Sequence, residues 1–321
     1  MKKVALLIVL LAVGVFGFVI LKKSQAPAIA ATYTIGILQT ASHPALDATR
    51  EGFIEEIKSK MGDDIAFVIQ NAEGSIVNVH TIAQQFHAKK QFNGFFVIAT
   101  PAAQAMAAIE KERPIFIAAV SDPASIGLIH PKTNVCGTKD MIDVKAGIQM
   151  LQELLPDAKK VGLLYTSGEV NSMVLVKEMH NELKARGLIA MDFAMSSEAD
   201  IQAMVESACS KVDVIMTPTD NMVGSAIASI AAIALKYKKP LIVSDNMLIK
   251  EGPLASRGVD YKAGGKQTAD IALEVLVQGK HPSELPIEQI QGGQIFINKN
   301  TLDALGLSIP AALKDRVELV S

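Results

Sequence analysis

The chain has 321 residues, half of them hydrophobic, with 31 basic and 33 acidic residues and a formal net charge of −2 at pH 7. This near balance, without a basic cluster, argues against nucleic-acid binding, which requires a concentrated positive surface. With only two cysteines, Cys136 and Cys209, the fold must depend on a hydrophobic core rather than on a disulfide framework. One disulfide between them is possible, but we expect two buried free thiols.

Residues 1–31 have the pattern of an export signal. A lysine pair precedes an uncharged run from Val4 to Leu21, and a stretch of small residues ends in Ala30 and Ala31. A positive start, an apolar middle and an Ala-x-Ala exit are typical of secretory signal peptides. The run also has about the ~27 Å length that spans a bilayer core, so an uncleaved membrane anchor is the alternative. We favour cleavage, and both interpretations place residues 32–321 outside the cytoplasm, in a periplasmic or other extracytoplasmic space.

From residue 33 onwards, short apolar runs alternate with longer amphipathic stretches. The predicted strands are Tyr33–Leu38, Ile65–Ile69, Gly94–Ala99, Ile115–Val120, Lys160–Tyr165, Val212–Met216, Leu241–Val243, Leu254–Val259 and Ile295–Asn298. The predicted helices are Ala45–Met61, Ser75–Lys90, Ala102–Lys111, Val144–Leu155, Asn171–Arg186, Glu198–Ser210, Val223–Tyr237, Lys262–Gln278 and Thr301–Leu307. Alternation of helices with continuously apolar strands is typical of parallel sheets covered by helices, so we predict an α/β fold.

The strand–helix pattern runs twice, which predicts two lobes. Four units precede Gly137 and three follow it. The stretch Thr133–Met141 has no helical period, and we interpret it as a crossing between the lobes. In open parallel sheets, ligands bind beyond the carboxyl ends of the strands. A binding site is therefore expected in the turns that follow the strands.

These turns are polar and distinctive in sequence. They are Gln39–Pro44, Gln70–Gly74, Thr100–Gln104 and Ser121–Pro123 in the first half, and Thr166–Ser172, Thr217–Asn221 and Ser244–Asn246 in the second. Together with their flanks they resemble the type I extracytoplasmic solute-binding proteins of ABC importers, in the branch that includes tryptophan- and tyrosine-binding proteins. The motifs that carry the resemblance, in family order, are Ile37–Thr40, His43–Asp47, Ile98–Gln104, Val120–Pro123, Gly137–Met141, Pro218–Asn221 and Gly258–Tyr261.

The resemblance extends from about Tyr33 to Val320 and implies two Rossmann-like lobes with parallel sheets. It implies three hinge crossings, near Gly137, Asp260 and Pro286. The N-terminal lobe would then consist of residues 32–137 and 261–286, and the C-terminal lobe of residues 138–260 and 287–321.

The resemblance also implies a function. A monomeric receptor would close its lobes on a small solute, an amino acid and preferably an aromatic one, and deliver it to an ABC permease with its ATPase. Such a protein is not an enzyme and requires no cofactor or metal. In keeping with this, the sequence has no His-Glu-x-x-His, Cys-x-x-Cys or Gly-x-Ser-x-Gly motif.

A free amino acid presents a carboxylate, for which helix N-termini are suitable partners because of their free N–H groups and dipole. Two turns open predicted helices with small or hydroxyl-bearing residues. The candidates for this contact are Thr100, Ala102 and Ala103 in the first lobe, and Ser167, Asn171 and Ser172 in the second. Thr100 and Ser167 are also typical helix N-caps, a role compatible with ligand contact.

The ammonium group of an amino acid requires a carboxylate. Asp122, Asp220 and Asp245 each follow a predicted strand. We favour Asp220 and Asp245, because Asp122 precedes a proline in a common turn signal. The alternative for each is a helix N-cap or a hinge salt bridge.

Five other residues complete the predicted site. Gln39, His43 and Gln70 would line the side-chain end of the pocket, Ser121 follows the fourth strand, and Tyr261 lies at a crossing. We expect His43 to be a structural hydrogen-bonding residue, and Tyr261 either to stack on a ligand ring or to pack in the hinge. Because the chain has no Trp, an aromatic ligand would stack on Phe, Tyr or peptide planes.

Two other functions are compatible with the same pattern. A membrane-tethered ligand sensor would retain the apolar run at residues 4–21 and would need a signalling partner. An exported enzyme would use a pair of carboxylates in the cleft, although no spaced catalytic motif supports this.

Overall fold

The computed structural model describes residues 32–321, so the predicted export signal lies outside the described residues. The strands are β1 Tyr33–Gln39, β2 Ile65–Asn71, β3 Gly94–Ile98, β4 Ile115–Ala118, β5 Val135–Lys139, β6 Lys160–Thr166, β7 Ile189–Met195, β8 Val214–Met216, β9 Leu241–Val243, β10 Ala255–Val259, β11 Ile287–Gln289, β12 Gly292–Asn298 and β13 Val317–Val320. The helices are α1 Pro44–Met61, α2 Ile76–Ala88, α3 Thr100–Ile109, α4 Val144–Leu154, α5 Val170–Ala185, α6 Ile201–Lys211, α7 Asn221–Ser225, α8 Ile227–Lys236, α9 Tyr261–Leu276 and α10 Lys299–Ala304.

The strands form two sheets, one in each lobe. The first sheet has the order β11-β5-β4-β3-β1-β2, and its strands are all parallel. The second has the order β13-β12-β10-β9-β8-β6-β7, with a single antiparallel pairing between β10 and β12. The predicted α/β fold with two parallel-dominated sheets is confirmed.

The chain passes between the two sheets three times, as the fold class predicts. The passages lie at residues 140–143, at Asp260, and at residues 290–291. The third passage comes later than expected, because β11 pairs with β5 in the first sheet. Residues 287–289 therefore belong to the first lobe, and their assignment to the second lobe is corrected. The strand is only three residues long and two of them are polar, so no apolar run marks it.

Other elements differ from the prediction for similar reasons. The stretch Thr133–Met141 contains strand β5 rather than only a crossing, and β7 and β13 lie at sheet edges where exposed residues interrupt the apolar pattern. The predicted helix Val223–Tyr237 is two helices, α7 and α8, separated at Ala226, where ψ is 9°. Because of this break, α7 ends at Ser225, next to the first lobe.

Each sheet is covered on both faces by helices. In the first lobe, two of these helices pack closely next to the crossing at Asp260. Helix α9, which follows the second passage, lies against α1. A side chain at Gly52 would overlap the carbonyl oxygen of Lys262, and one at Gly265 would overlap that of Thr49. Glycine at both positions therefore lets the two helix backbones touch, which anchors the α9 segment to the first lobe.

Both cysteines are part of the hydrophobic core. Cys136 in β5 and Cys209 in α6 are both buried and free, as predicted. They belong to different lobes. Within residues 32–321, no helix combines the length and apolar character needed to cross a bilayer.

Candidate functional site

A small closed cavity lies between the lobes, at the carboxyl ends of the strands. We call it the central cavity; its volume is about 20 Å³, room for about one water molecule. First-lobe and crossing residues that line it are His43, Leu46, Ala119, Asp140 and Tyr261, and second-lobe residues are Asn171, Thr217, Pro218, Thr219, Asp220, Asn221, Val223, Ser244, Asp245 and Leu248. The lining mixes apolar side chains with convergent polar groups, which is typical of ligand sites.

Two residues at the crossings form a hydrogen-bonded pair on one wall of the cavity. Asp140 follows β5 and Tyr261 opens α9, and the Tyr261 hydroxyl donates to Oδ2 of Asp140 over 2.8 Å. Both residues are buried, and Oδ1 of Asp140 has no hydrogen-bond partner within the described residues. Burial raises the pKa of Asp140, against the hydrogen bond from Tyr261. The cavity thus contains an incompletely satisfied carboxylate.

Asp245 supplies a second such carboxylate from the opposite lobe. It follows β9, and its Oδ1 accepts the backbone N–H of Met247 over 2.8 Å. The side chain is 5% exposed. Burial raises its pKa to about 7, opposed by the Met247 N–H and assisted by the charge of Asp140. Because desolvation disfavours the charged form, the two carboxylates together favour a positive group between the lobes.

Asp220 also lines the cavity, but it is occupied by its own lobe. Its carboxylate accepts the Thr166 N–H at 2.6 Å, the Thr166 hydroxyl at 2.9 Å and the Ser172 hydroxyl at 2.7 Å. It also caps α7 by accepting the Val223 N–H at 3.0 Å. Four donors use the lone pairs that a ligand ammonium group would need, so Asp220 holds the turn in place.

His43 reaches across the cavity from the start of α1. Both of its ring nitrogens are buried and have no partner in the part of the chain that the structure describes, which corrects the expected hydrogen-bonding role. Burial lowers its pKa to about 4, against the effects of Asn221 and Asp47, so the ring is neutral at pH 7. The ring lies on Gly224 of α7, where an added Cβ would be 3.2 Å from three ring atoms. His43 therefore forms part of the closed contact between the lobes.

Further buried polar atoms also lack partners. They are the hydroxyls of Thr100, Thr219 and Ser256 and the Oδ1 of Asn171, whereas the Asn171 amide nitrogen donates to the Thr219 carbonyl over 2.9 Å. Of these, Thr219 and Asn171 line the central cavity, together with His43 and Asp140. Unpaired buried polar groups are costly, so these four side chains are groups that a ligand would satisfy.

A second, larger cavity lies beside the first and opens towards solvent. We call it the outer cleft; its volume is about 390 Å³, and it shares Asn221 with the central cavity. Its first-lobe lining is Thr40, Glu73, Gly74, Ser75, Ile76 and Pro101, and its second-lobe lining is Thr166, Gly168, Glu169, Ser196, Ser197, Glu198, Asn221, Met222 and Ser225.

Glu169 is a buried carboxylate at the boundary of the two cavities. It accepts the backbone N–H of Asn221 at 3.1 Å and of Met222 at 3.2 Å, and the Asn221 side-chain amide at 2.6 Å. Burial raises its pKa to about 7, and the nearby charge of Asp220 adds to this effect, against the hydrogen bonds from Asn221 and Asn171. Glu169 thereby covers the N-terminus of α7 with a side chain of the protein itself.

The structure brings five of the predicted residues together in the central cavity: His43, Asn171, Asp220, Asp245 and Tyr261. Thr100 is a buried orphan hydroxyl at the start of α3 that lines neither cavity, and Ser172 is a buried partner of Asp220. Asp122, the candidate we disfavoured, accepts the N–H groups of Ala124 and Ser125 in its own turn.

The remaining predicted residues lie outside both cavities. Gln39 is fully buried and held by Asp47 at 2.9 Å and Arg50 at 2.6 Å. Gln70 is partly exposed at the end of β2, Ser121 is buried after β4, and Ser167 is exposed and donates to the Met195 carbonyl. Ala102 and Ala103 are buried in α3, where the Ala102 N–H donates to the Thr40 hydroxyl over 3.3 Å.

Several polar residues that line the central cavity are missing from the predicted set. They are Asp140, Thr217, Thr219, Asn221 and Ser244. Four of them lie in the same turns as predicted residues, so they could have been predicted by including every polar residue of those turns. Asp140 lies within the motif Gly137–Met141, which the sequence interpretation assigned to a crossing rather than to the ligand. Among residues 32–321, no group of three or more His, Cys, Asp or Glu side chains is placed to hold a metal ion.

Several known proteins are similar to this chain over most of its length. The family model described as ABC transporter substrate binding protein matches residues 34–319. A tyrosine-binding protein from Clostridioides difficile (strain R20291) is 33% identical over 280 residues, covering 85% of this chain and 81% of that protein. The crystal structure of an ABC domain in complex with L-Trp from Streptococcus pneumoniae is 31% identical and aligns with a TM-score of 0.86, covering 90% of this chain and 99% of that one.

A third comparison bears on the arrangement of the lobes. The ligand-free, open structure of a substrate-binding protein with adhesive properties from Clostridium difficile is 33% identical and covers 90% of this chain and 99% of that one, but its TM-score is 0.67. The two crystal structures are about equally similar in sequence, so the difference in TM-score reflects conformation. The lobes of this chain are arranged more like those of the L-Trp complex than those of the open structure.

Proposed function

Because the chain belongs to the family of ABC transporter substrate-binding proteins, we propose that its two lobes capture an aromatic amino acid in the central cavity. The two lobes would rotate about the hinge formed by the three crossings and close on the ligand. The family consists of solute-binding proteins rather than enzymes, and it works with ABC permeases.

One observation supports an amino acid as the ligand above all others. Asp140 and Asp245 face the same buried cavity, and within the described residues no lysine or arginine lines it. His43 is neutral there. A ligand ammonium group would supply the missing positive charge, whereas a ligand without one would leave the two carboxylates buried and unpaired, which is costly.

The apolar part of the lining supports an aromatic side chain. Leu46, Pro218, Val223 and Leu248 line the cavity, and the Tyr261 ring adds the aromatic surface that we expected in place of Trp. The relative that binds tyrosine and the relative crystallised with L-Trp favour the same class. The cavity has a volume of only about 20 Å³. An aromatic amino acid therefore requires the lobes to separate for entry and to close around it less tightly than they do in this structure.

We further propose that the protein acts as an exported monomer that presents the closed form to its permease. The export signal at residues 1–31 would be removed after Ala30 or Ala31, and the mature protein would then carry no membrane anchor. Sequencing the N-terminus of the protein from its native cell tests this: a start at Ala31 or Thr32 supports release, and an intact Val4–Leu21 run would instead support a tethered form.

The ligand proposal is tested by a thermal-shift screen of refolded, ligand-free protein against amino acids, small peptides and sugars. A ligand at a hundred times its Kd stabilises the folded state by about 2.7 kcal/mol, which gives an easily measured shift. We expect a selective response to tryptophan, tyrosine or phenylalanine. A response restricted to sugars or to aliphatic amino acids would contradict the proposed ligand class.

A further inference from the structure

The first helix of the first lobe begins beside the central cavity without a cap. Helix α1 spans Pro44–Met61, and the side chain of its N-cap residue, His43, makes no hydrogen bond to the first turn. Pro44 has no N–H, and within residues 32–321 the N–H groups of Ala45 and Leu46 have no acceptor. Both residues are buried, and Leu46 lines the cavity. Two free N–H groups and the positive end of the helix dipole are therefore available to a group bound in the cavity.

The imidazole of His43 gives a second, independent indication of a ligand group at the same place. It is 8% exposed and lines the cavity, and neither ring nitrogen has a partner in the described part of the chain. Its lowered pKa keeps the ring neutral at pH 7, so one nitrogen carries a proton that it can donate. An unpaired buried polar group is costly, which indicates that a bound ligand satisfies it. The ring N–H and the two backbone N–H groups are together suited to an anionic group.

A second helix, α5, also begins at the cavity without a side-chain cap, but carboxylates of the protein already lie at its N-terminus. Its N-cap residue is Glu169, and the hydroxyl of its Ser172 donates to Asp220 over 2.7 Å. A ligand carboxylate at this end would meet two buried acids of the same charge. At α1, the acidic residue of the first turn, Asp47, is paired with Arg50 at 2.9 Å. The charges therefore favour α1 over α5 as the site for an anionic group.

The proposed partners of the ligand ammonium group lie on other elements. Asp140 follows β5 and Asp245 follows β9, and both line the same cavity as His43. Among residues 32–321, no lysine or arginine lines this cavity. A ligand carboxylate must therefore be bound by neutral donors, and the start of α1 provides them.

From this arrangement we infer that the N-terminus of α1 is the carboxylate subsite of the central cavity. The N–H groups of Ala45 and Leu46 and the imidazole of His43 bind the carboxylate of the amino acid. Asp140 and Asp245 bind its ammonium group. The inference rests on the proposed function and deepens it, since it makes a free carboxylate a requirement for tight binding. It also places the carboxylate contact at α1 rather than at α3 or α5.

The test compares each aromatic amino acid with the amine that lacks only the carboxylate. The pairs are L-tryptophan and tryptamine, L-tyrosine and tyramine, and L-phenylalanine and phenethylamine. Isothermal titration of refolded mature protein at pH 7.5, with competition titrations for weak ligands, gives a Kd for each. For the amino acid that binds most tightly, we expect the matching amine to bind more than about tenfold more weakly, because it loses charge-assisted hydrogen bonds from three donors.

A variant of His43 ties the result to the start of α1. His43→Phe keeps a ring beside Gly224 but removes the N–H donor. It should weaken binding of the amino acid by about tenfold or more and that of the matching amine by less than about threefold, since only the amino acid has a carboxylate to lose this bond. His80→Phe is the control, because His80 is an exposed residue of α2 that lines neither cavity, and it should leave both affinities unchanged.

The outcomes separate this inference from the proposed function. The comparison of ligands uses the unmodified protein, so it decides the inference even should His43→Phe fold poorly. An amine that binds within tenfold of its amino acid would overturn the carboxylate subsite and leave the proposed function intact. Equal weakening of amino acid and amine by His43→Phe would also overturn it, because the ring would then act through packing alone. Failure of all three amino acids to bind would overturn the proposed function, and this inference with it.

Discussion

Individual residues in the central cavity owe their chemistry to burial. Asp245 is 5% exposed and lacks a cationic partner in the described part of the chain, so burial disfavours its charged form until a ligand brings a positive group. Asp220, which the sequence presents in the same way, is held by four donors from its own lobe. The difference between the two carboxylates is the number of hydrogen bonds each receives.

Replacing Asp245 by asparagine should weaken binding of the preferred aromatic amino acid by more than tenfold. Loss of a desolvated charge pair exceeds the roughly 1.4 kcal/mol that corresponds to that factor. Isothermal titration measures the change, with Asp122→Asn as a matched control that should bind normally. An unchanged affinity for Asp245→Asn would remove this carboxylate from the site.

Affinity for the amino acid should fall as the pH is lowered from 7.5 to 5.5. Burial raises the pKa of Asp245 to about 7 and that of Asp140 above its ordinary value, so the empty closed cavity favours protonated carboxylates at lower pH. An ammonium ligand requires the ionised form, and each unit below the pKa costs up to about a factor of ten in affinity for one proton released. Tyr261 stays protonated, and His43, with a pKa of about 4, stays neutral over this range.

Titrations in buffers of different ionisation enthalpy measure the protons released on binding. Asp245→Asn should reduce the pH dependence, and what remains is due to Asp140 and to Glu169, whose pKa is also about 7. Affinity that rises on acidification would contradict the assignment of an ammonium group to this pair.

The buried carboxylate of Glu110 lines neither cavity and should control stability instead. It is 2% exposed and accepts the backbone N–H groups of Glu112 and Arg113, while Arg113 also donates from its side chain at 2.6 Å. Burial alone would raise its pKa, but these hydrogen bonds and the one with His87 outweigh it and lower the pKa to about 2. The stabilisation is therefore complete above about pH 4.5 and is lost as the pH falls towards 2.

Glu110→Gln should lower the free energy of unfolding by about 3 kcal/mol, because it removes charge-assisted bonds and leaves Arg113 without its partner. Urea denaturation at pH 7 measures the loss. The exposed neighbour Glu112 provides the control, since Glu112→Gln removes a charge outside the network. Equal stability of the two variants would show that Glu110 has no special role.

Among the structural elements, the short helix α7 both lines the central cavity and contacts the other lobe. Its residues Asn221 and Val223 line the central cavity, and its Gly224 packs under the His43 ring of the other lobe. Ser225 adds a second contact between the lobes, donating to the Ser42 carbonyl over 3.4 Å. Closure therefore depends on a glycine at the end of a five-residue helix.

Gly224→Ala should weaken ligand binding several-fold while leaving the lobes folded. The new Cβ would lie 3.2 Å from the His43 ring, so the lobes must separate slightly or the ring must move. X-ray scattering with saturating ligand should give a larger radius of gyration than for the unmodified protein. Gly168→Ala is the matched control, because its Cβ would contact nothing within 4 Å. Normal affinity and full compaction of Gly224→Ala would contradict this role.

The elements that the sequence predicts well are those with a continuous apolar run. Strands β1, β3 and β4 are almost entirely buried, and their apolar runs are readily recognised. Strands β7, β11 and β13 lie at sheet edges or beside a crossing, where water contact permits polar residues, so their pattern resembles that of loops. The division of α7 from α8 depends on one backbone angle at Ala226, which periodicity does not reveal.

For the molecule as a whole, strand–helix alternation and the family motifs were sufficient to predict two lobes and three crossings. The candidate site was predicted less completely, because only some of the residues in the turns that follow the strands face the cavity. Gln39 is the last residue of β1 and is bound by Asp47 and Arg50, whereas Asp140 follows a strand that we interpreted from the sequence as part of a crossing. Which turn residues face the cavity depends on how the lobes close. Closure brings together residues that are far apart in the chain, and local sequence patterns do not reveal such contacts.

The most direct measurement is isothermal titration of refolded, ligand-free protein with tryptophan, tyrosine and phenylalanine, using leucine and glucose as comparison ligands. Capture of an aromatic amino acid between the lobes predicts saturable one-to-one binding of at least one of the three. Its Kd should be at least about a hundredfold lower than for leucine, a difference of roughly 2.7 kcal/mol. Binding of leucine or glucose with no response to any aromatic amino acid would contradict the proposed function.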